Sequence, residues 1–172
     1  LPDCPTTRVH STGFPPVLGD DPTLLILGSL PGIASITQQQ YYAHPRNAFW
    51  RIMEDLFAIP FSASYLERYE YAKAAKIAIW DVCHSAHRPG SLDSAITRDS
   101  VIANDINALL AQHPTIKLIA FNGNAAADLF KKHIKLIQPV STILLPSTSP
   151  ANAGIPYAIK LEKWSLLLDY CI

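Results

Sequence analysis

Four short segments of this 172-residue chain concentrate residues that could do chemistry: GSLPG (28–32), DVCHSAHRPGS (81–91), NGNAA (122–126) and PSTSPAN (146–152). Each combines hydroxyl, amide or carboxylate groups with Gly or Pro, which turn a backbone sharply and let it approach a ligand. That inventory suits recognition by hydrogen bonds. It does not suit several other chemistries. GSLPG lacks the GxGxxG spacing of a dinucleotide site and the GK[ST] of a phosphate-binding loop, and taken alone it is a tight turn after a strand. No GxSxG nucleophile elbow is present. Cys83, His84 and His87 lack the spacing of zinc ligands. The three cysteines, Cys4, Cys83 and Cys171, are too few and too scattered for a disulfide framework or an iron–sulfur cluster. No metal and no other cofactor is expected.

The elements that must position these segments can be read beside them. TLLILG (23–28), KIAIWDV (76–82), IKLIAFNG (116–123) and STILLP (141–146) are short, continuously apolar runs, the pattern of strands buried on both faces. Helical patterns separate them. In NAFWRIMEDLF, Phe49, Ile52, Met53, Leu56 and Phe57 recur at helical spacing, with Asn47 placed to cap. Ile102, Ile106, Leu109 and Leu110 share a face of a helix predicted between Asp99 and Gln112, and residues 125–134 and 161–170 supply two more. The alternation predicts an α/β chain: one three-layer α/β/α domain over residues 22–172, with a central, mainly parallel four-stranded sheet. Residues 1–21, with FPP and GDD turn signals, are expected to form an irregular N-terminal arm. Ligands of such folds bind beyond the carboxyl ends of the strands, where the four segments fall.

Bulk properties narrow the partners. Lys plus Arg and Asp plus Glu each number 14, so a nucleic acid could not be held by net charge and would need a local patch and helix N-termini. No apolar run approaches the roughly 18 residues of a membrane span, and LPDCPTTRVH has no signal-peptide pattern. A cytoplasmic monomer with no membrane association is expected.

The longer stretch GSLPGIASITQQQYYAHPRNAFWRIM resembles the first motif of the uracil-DNA glycosylase superfamily. The mismatch-specific uracil/thymine branch has the same frame, G-x-x-P-G followed by a loop and H-P-x-N-x-F-W. GSLPG, the Tyr41–Tyr42 pair and HPRNAFW are most similar to the DNA-deoxyinosine (hypoxanthine) glycosylase family, as are WDVCHSAHRPGSLDSAI (80–96) and LPSTSPAN (145–152). The resemblance covers roughly residues 12–170, with the elements in order. It implies a cofactor-free hydrolase that flips a deaminated base, hypoxanthine above all, out of DNA and cuts its N-glycosidic bond in base excision repair.

The resemblance also implies roles. Gly28, Ser29, Leu30, Pro31 and Gly32 would form one wall of the base site, with Tyr41, Tyr42 or Phe49 stacking on the base. Leu30 stands where the mismatch-specific branch has a water-positioning Asn, and Asn47 is the replacement the resemblance suggests. Capping of the following helix remains the other account of Asn47. Asp81 falls at the superfamily's base-reading position, and its carboxylate would accept from hypoxanthine N1–H; an ion pair with an Arg or a turn cap is the alternative. Asn122 would touch the flipped nucleotide or cap a helix. Ser147 stands where uracil-specific branches place a His that bonds the departing base. Ser147, Thr148, Ser149, Pro150 and Asn152, with Ser35 and His44, would contact DNA, and Ala151 would sit at the tip that wedges into the duplex. Two rivals remain open: a uracil-preferring glycosylase, and an inactive module that only binds lesions.

Overall fold

The computed structural model describes residues 10–170; residues 1–9, with Cys4, and 171–172, with Cys171, lie outside the described residues. The chain runs β1 (His10–Thr12), β2 (Leu24–Gly28), α1 (Ile33–Gln38), α2 (Phe49–Phe57), α3 (Tyr65–Ala74), β3 (Ile77–Asp81) and β4 (Cys83–His87). It continues through β5 (Ile102–Ala103), α4 (Ile106–Gln112), β6 (Leu118–Asn122), α5 (Asn124–His133), β7 (Ser141–Leu145) and α6 (Tyr157–Trp164).

The four apolar runs are the four strands of the main sheet, ordered β3-β2-β6-β7 and parallel at every pairing. β2 and β6 are buried along their whole length, so successive side chains feed two cores on opposite faces. Leu24, Ile26, Ile77, Ile79, Leu118 and Ala120 meet Phe49, Trp50, Ile52 and Met53 of α2, Ala72 of α3 and Trp164 of α6. Leu25, Leu27, Ala78, Ile119 and Phe121 meet Ile106, Leu109 and Leu110 of α4 and Ala126, Leu129 and Phe130 of α5. This is the expected three-layer α/β/α arrangement.

Three expectations need correction. Residues 10–12 are not irregular: β1 pairs antiparallel with β4, which in turn pairs with β5, making a second, three-stranded sheet. The following FPP segment is fixed too, because Val17 bridges Ile79, the Phe14 carbonyl accepts from Trp80 Nε1 at 3.0 Å and the Pro15 carbonyl accepts from the Tyr41 hydroxyl at 2.9 Å. The helix predicted from Asp99 is shorter, starting at Ile106, because residues 102–103 are drawn into β5 and Asp105 caps α4 by accepting from Ala108 N–H at 3.0 Å. Helices α1 and α3 were not expected. α3 has no clean apolar stripe. Its anchor is Arg68, whose guanidinium lies over Trp50, Phe61 and Tyr65 and donates to the Ala63 and Phe61 carbonyls.

Candidate active site

A cleft of about 820 Å³ opens at the carboxyl ends of the main-sheet strands, lined by the end of β3, the segments after β2, β4, β6 and β7, and the loop before α2. Its floor is set by strand register. β2 and β3 place Gly28 opposite Asp81, and a Cβ on Gly28 would stand 2.5 Å from Asp81 Oδ1 and 3.0 Å from the Tyr42 hydroxyl. Only glycine fits there. Asp81 is 3% exposed, and its Oδ2 has no hydrogen-bond partner. Burial, then the negative charge of Asp93, raise its carboxyl from the ordinary 3.8 to about 7, against a smaller opposing pull from Arg88. The Tyr42 hydroxyl is also buried and unpartnered. Burial and the Asp81 charge push it far above the usual phenol range, so it is a protonated donor. Tyr42 adopts a left-handed backbone (φ 55°), and its ring stacks on Phe49 with centroids 4.1 Å apart.

One wall is held by Arg88, whose side chain is fully buried. It donates to the carbonyls of Leu30 at 3.2 Å, Pro31 and Gly90 at 3.2 Å, and stands 3.9 Å from Asp93 Oδ1. Ser29 Oγ donates to the same Asp93 oxygen at 2.6 Å, and Ser91 Oγ accepts from Ile33 N–H at 2.8 Å. The GSLPG turn and the loop after β4 are thereby one rigid unit. Asn104 Nδ2 donates to the Asp81 carbonyl at 2.8 Å, fixing the strand end behind the carboxyl.

The opposite wall joins the loop before α2 to PSTSPAN. Ala48 N–H donates to the Thr148 carbonyl at 3.0 Å. Thr148 in turn holds the Asn122 amide on both sides, its N–H donating to Oδ1 at 2.9 Å and its hydroxyl accepting from Nδ2 at 3.0 Å. Gly123 (φ 97°) sits so close that a Cβ would meet Ser147 Cβ at 2.9 Å. Ser147 Oγ accepts from Ser149 N–H at 3.2 Å, Ser149 Oγ from Ala151 N–H at 3.2 Å, and Asn152 Nδ2 donates to the Ser147 carbonyl at 3.0 Å. Asn47 lines the cleft at the N-terminus of α2, and its Oδ1 accepts from Phe49 N–H at 2.9 Å.

The comparisons with known proteins agree with this geometry. The family model described as the uracil DNA glycosylase superfamily matches residues 15–163. The chain belongs to the uracil-DNA glycosylase superfamily. It is 39% identical over 145 residues to a hypoxanthine DNA glycosylase of Methanosarcina barkeri, covering 81% of this chain and 87% of that one. A hypoxanthine DNA glycosylase of Methanosarcina acetivorans is 37% identical over 143 residues, with the same coverage. The solution NMR structure of a candidate uracil DNA glycosylase from M. acetivorans superposes with a TM-score of 0.74 at 32% identity, covering 92% of this chain and 99% of that one.

Within this superfamily fold, the cleft brings together nearly all the residues singled out from sequence: Gly28 to Gly32, Ser35, Tyr41, Tyr42, His44, Asn47, Asp81, Asn122 and Ser147 to Asn152. Phe49 is the exception. It is fully buried behind Tyr42, with Trp50 and Trp164 packed edge-on, so no base can stack on it. Tyr41 is 3% exposed and its ring packs on Phe14 and Tyr69, so it too is corrected from a stacking platform to a core residue that touches the cleft only at its edge. Ser35 and Thr148 are buried with their hydroxyls engaged, Ser35 by Ala43 N–H at 3.0 Å, which removes them as phosphate contacts. Thr148 holds the Asn122 amide through its oxygen and one N–H, and Leu30, 6% exposed, belongs to the apolar cluster that includes Cys83, Ala86 and Ile96. Cys83 is a buried free thiol, and among the described residues no group of three or more His, Cys, Asp or Glu side chains could hold a metal ion. Missed in the sequence were Arg88, Asp93 and Ser91, which brace the wall, and Arg46, an exposed cation on the rim.

The raised carboxyl of Asp81 has a consequence for stability. The folded chain keeps a proton there that the unfolded chain has released, so this group makes stability fall as pH rises from about 4 to about 7, after which the loss is constant. Asp81→Asn is therefore expected to be more stable than wild type at pH 8, by on the order of a few kcal/mol, with the gap closing toward pH 4. Denaturant titrations across that range test it; a gap that does not vary with pH would mean the carboxyl titrates near its ordinary value.

Proposed function

We propose that this chain is a monofunctional DNA glycosylase that hydrolyses the N-glycosidic bond of a flipped deaminated base, with hypoxanthine preferred. The observation that carries the reading is the buried, unpartnered Asp81 carboxyl at the floor of a cleft whose rim is rich in hydroxyls and backbone amides. A free carboxylate offers only acceptors, which match hypoxanthine N1–H and oppose the lone pair on adenine N1. An unpaired buried group is the costly mismatch, and that cost gives discrimination. The names of the Methanosarcina relatives support the same substrate. Hypoxanthine is favoured over uracil because Ser147 stands where uracil-specific branches have a His, and its hydroxyl accepts from Ser149 N–H.

Extruding the nucleotide costs a few kcal/mol, least for a mispaired base. Rim groups suited to holding the backbone are Arg46, His44, Ser147, Ser149 and Asn152, with exposed Ala151 between them. The C1′–N9 bond then breaks heterolytically: its electron pair leaves with the purine, and the sugar passes through an oxocarbenium-like state. Water adds to C1′, and the proton it releases ends on the departing purine anion, which leaves as the neutral base. Asn47 is the amide placed to orient that water, since its Oδ1 is tied to Phe49 N–H and its nitrogen remains available to the cleft. The donor set has no place for a metal in this scheme.

Single-turnover assays on inosine duplexes, with alkaline cleavage of abasic sites, test these roles. Wild type should cut inosine DNA equally well in EDTA. Asn47→Ala should lose roughly 2–4 kcal/mol of transition-state stabilisation with little change in binding. If Asn47 only caps α2, the variant will instead lose roughly 0.5–2 kcal/mol of folding stability and keep its rate. For wild type, kcat/KM should fall below about pH 7 as Asp81 takes up a proton and loses the acceptor-only form. Asp81→Asn should lose that acid limb and much of the discrimination against adenine; an unchanged limb would remove Asp81 from base reading.

A further inference from the structure

Among the described residues only three buried side-chain polar atoms lack a hydrogen-bond partner, and two of them, Tyr42 Oη and Asp81 Oδ2, belong to side chains that meet at Gly28. Both side chains line the cleft, and Asp81 Oδ1 and Tyr42 Oη both press on the space a Gly28 Cβ would fill, so carboxyl and phenol converge on one point. They are nonetheless not bonded to each other. A phenol and a carboxyl that converge so closely would normally pair, and leaving each unpaired in a fold is costly. The arrangement makes sense if a third group completes both. The Asn122 amide stands near Tyr42 and lowers its phenol somewhat against the larger effect of burial, but Thr148 holds its oxygen and one of its two N–H groups. The second N–H can only donate to the phenol oxygen, which leaves the Tyr42 O–H free to donate.

We propose that the Tyr42 hydroxyl and the Asp81 carboxylate form a two-point reader for the lactam edge of a base, Tyr42 donating to the ring carbonyl oxygen while Asp81 accepts from the adjacent ring N–H. The proposal rests on the glycosylase reading above and extends it to a second specificity-determining residue and a substrate class. Deamination of adenine or cytosine replaces an exocyclic amino donor by a carbonyl acceptor and turns the neighbouring ring nitrogen from acceptor to donor. Both contacts therefore invert together. A deaminated base satisfies the two floor groups at once, whereas adenine would set its amino group against the Tyr42 O–H and its N1 against a carboxylate. Hypoxanthine and uracil share the edge. Guanine carries it too, and is protected by the cost of leaving its stable pair with cytosine.

The pairing also resolves an electrostatic difficulty. As the glycosidic bond breaks, negative charge spreads onto the base beside an ionised Asp81, which alone would oppose the reaction. A donor on the carbonyl oxygen strengthens as that charge grows, which is the behaviour required of a group that lowers a barrier. The Tyr42 proton is secure, since burial and the nearby carboxylate both disfavour the phenolate. The ring's stacking on Phe49 and the left-handed backbone at Tyr42 fix where the hydroxyl points.

The test is a cycle between one substitution and one atom of the substrate. Duplexes carrying 2′-deoxyinosine, or its 6-thio analogue in which a weakly accepting sulfur replaces O6 and N1–H is kept, are cut under single-turnover conditions by wild type and Tyr42→Phe. The phenylalanine keeps the stack on Phe49 and removes only a buried unpartnered hydroxyl, and melting curves verify that the variant is as stable as wild type. Tyr42→Phe should slow inosine cleavage about ten- to a hundredfold while changing the thio substrate less than about threefold. Equal losses on both substrates, or no loss on either, would overturn the carbonyl contact. If wild type cuts neither substrate, the glycosylase reading itself fails, an outcome distinct from failure of the reader.

Discussion

The parallel register of β2 and β3 puts Gly28 beside Asp81, and the cleft is built outward from that contact. With no side chain at position 28, a carboxyl and a phenol converge where a residue of any other kind would stand. The cost is evident in the chemistry of the floor: a carboxyl buried among apolar strands, a second carboxyl near enough to raise it further, and no donor on its inner oxygen. A sequence selected only for stability would fill such a site with apolar atoms or a compensating donor. Holding it open is the usual trade of stability for a preorganised site.

Rigid walls make that trade tolerable. Arg88 is the principal brace. A fully buried guanidinium is expensive unless its donors are met, and here they are met by three loop carbonyls with Asp93 close by. Because those carbonyls belong to the turn after β2 and to the loop after β4, one side chain locks both to the second sheet. On the other side, the Thr148–Asn122 pair and the Ala48 N–H do the same with neutral groups. In the proposed reading the rim, rather than the walls, meets the nucleic acid. The rim's single exposed arginine and its hydroxyl-bearing turns accord with a chain of zero net charge.

How much of this was legible in the sequence follows from which interactions are local. The four parallel strands were readable because burial on both faces leaves an unbroken apolar run, whereas Asp81 was singled out through the family resemblance, since a carboxylate closing such a run could equally pair with an Arg or cap the turn. The short strands His10–Thr12, Cys83–His87 and Ile102–Ala103 were not, since their pairing is long-range and their residues are polar or few. Arg88 looked like any loop arginine until its three carbonyls were in place. The reading of Phe49 as a stacking platform was contradicted by the sequence itself: Phe49 shares the spacing of Ile52, Met53 and Leu56, and that stripe is the buried face of α2. Tyr42 was named for its ring, whereas its hydroxyl is what reaches the floor.

The same distinction between side chain and backbone bears on Leu30. In the mismatch-specific branch an Asn occupies this place in the turn, yet here the Leu30 side chain lies in the core and its carbonyl is held by Arg88. The turn therefore presents backbone, not a side-chain amide, to the cleft. A polar side chain in place of Leu30 would enter the apolar cluster of Cys83, Ala86 and Ile96, where burial without a hydrogen bond is costly. Under the proposed mechanism the amide that holds water comes from the facing wall. Asn47 is on that wall and lines the cleft; the N-cap of α2 is Ala48 rather than Asn47, and the Asn47 oxygen accepts from the N–H of Phe49 across it. In the proposed reading water orientation draws on the Asn47 nitrogen, while its oxygen holds the turn that leads into α2, so the two uses fall on different atoms of one side chain.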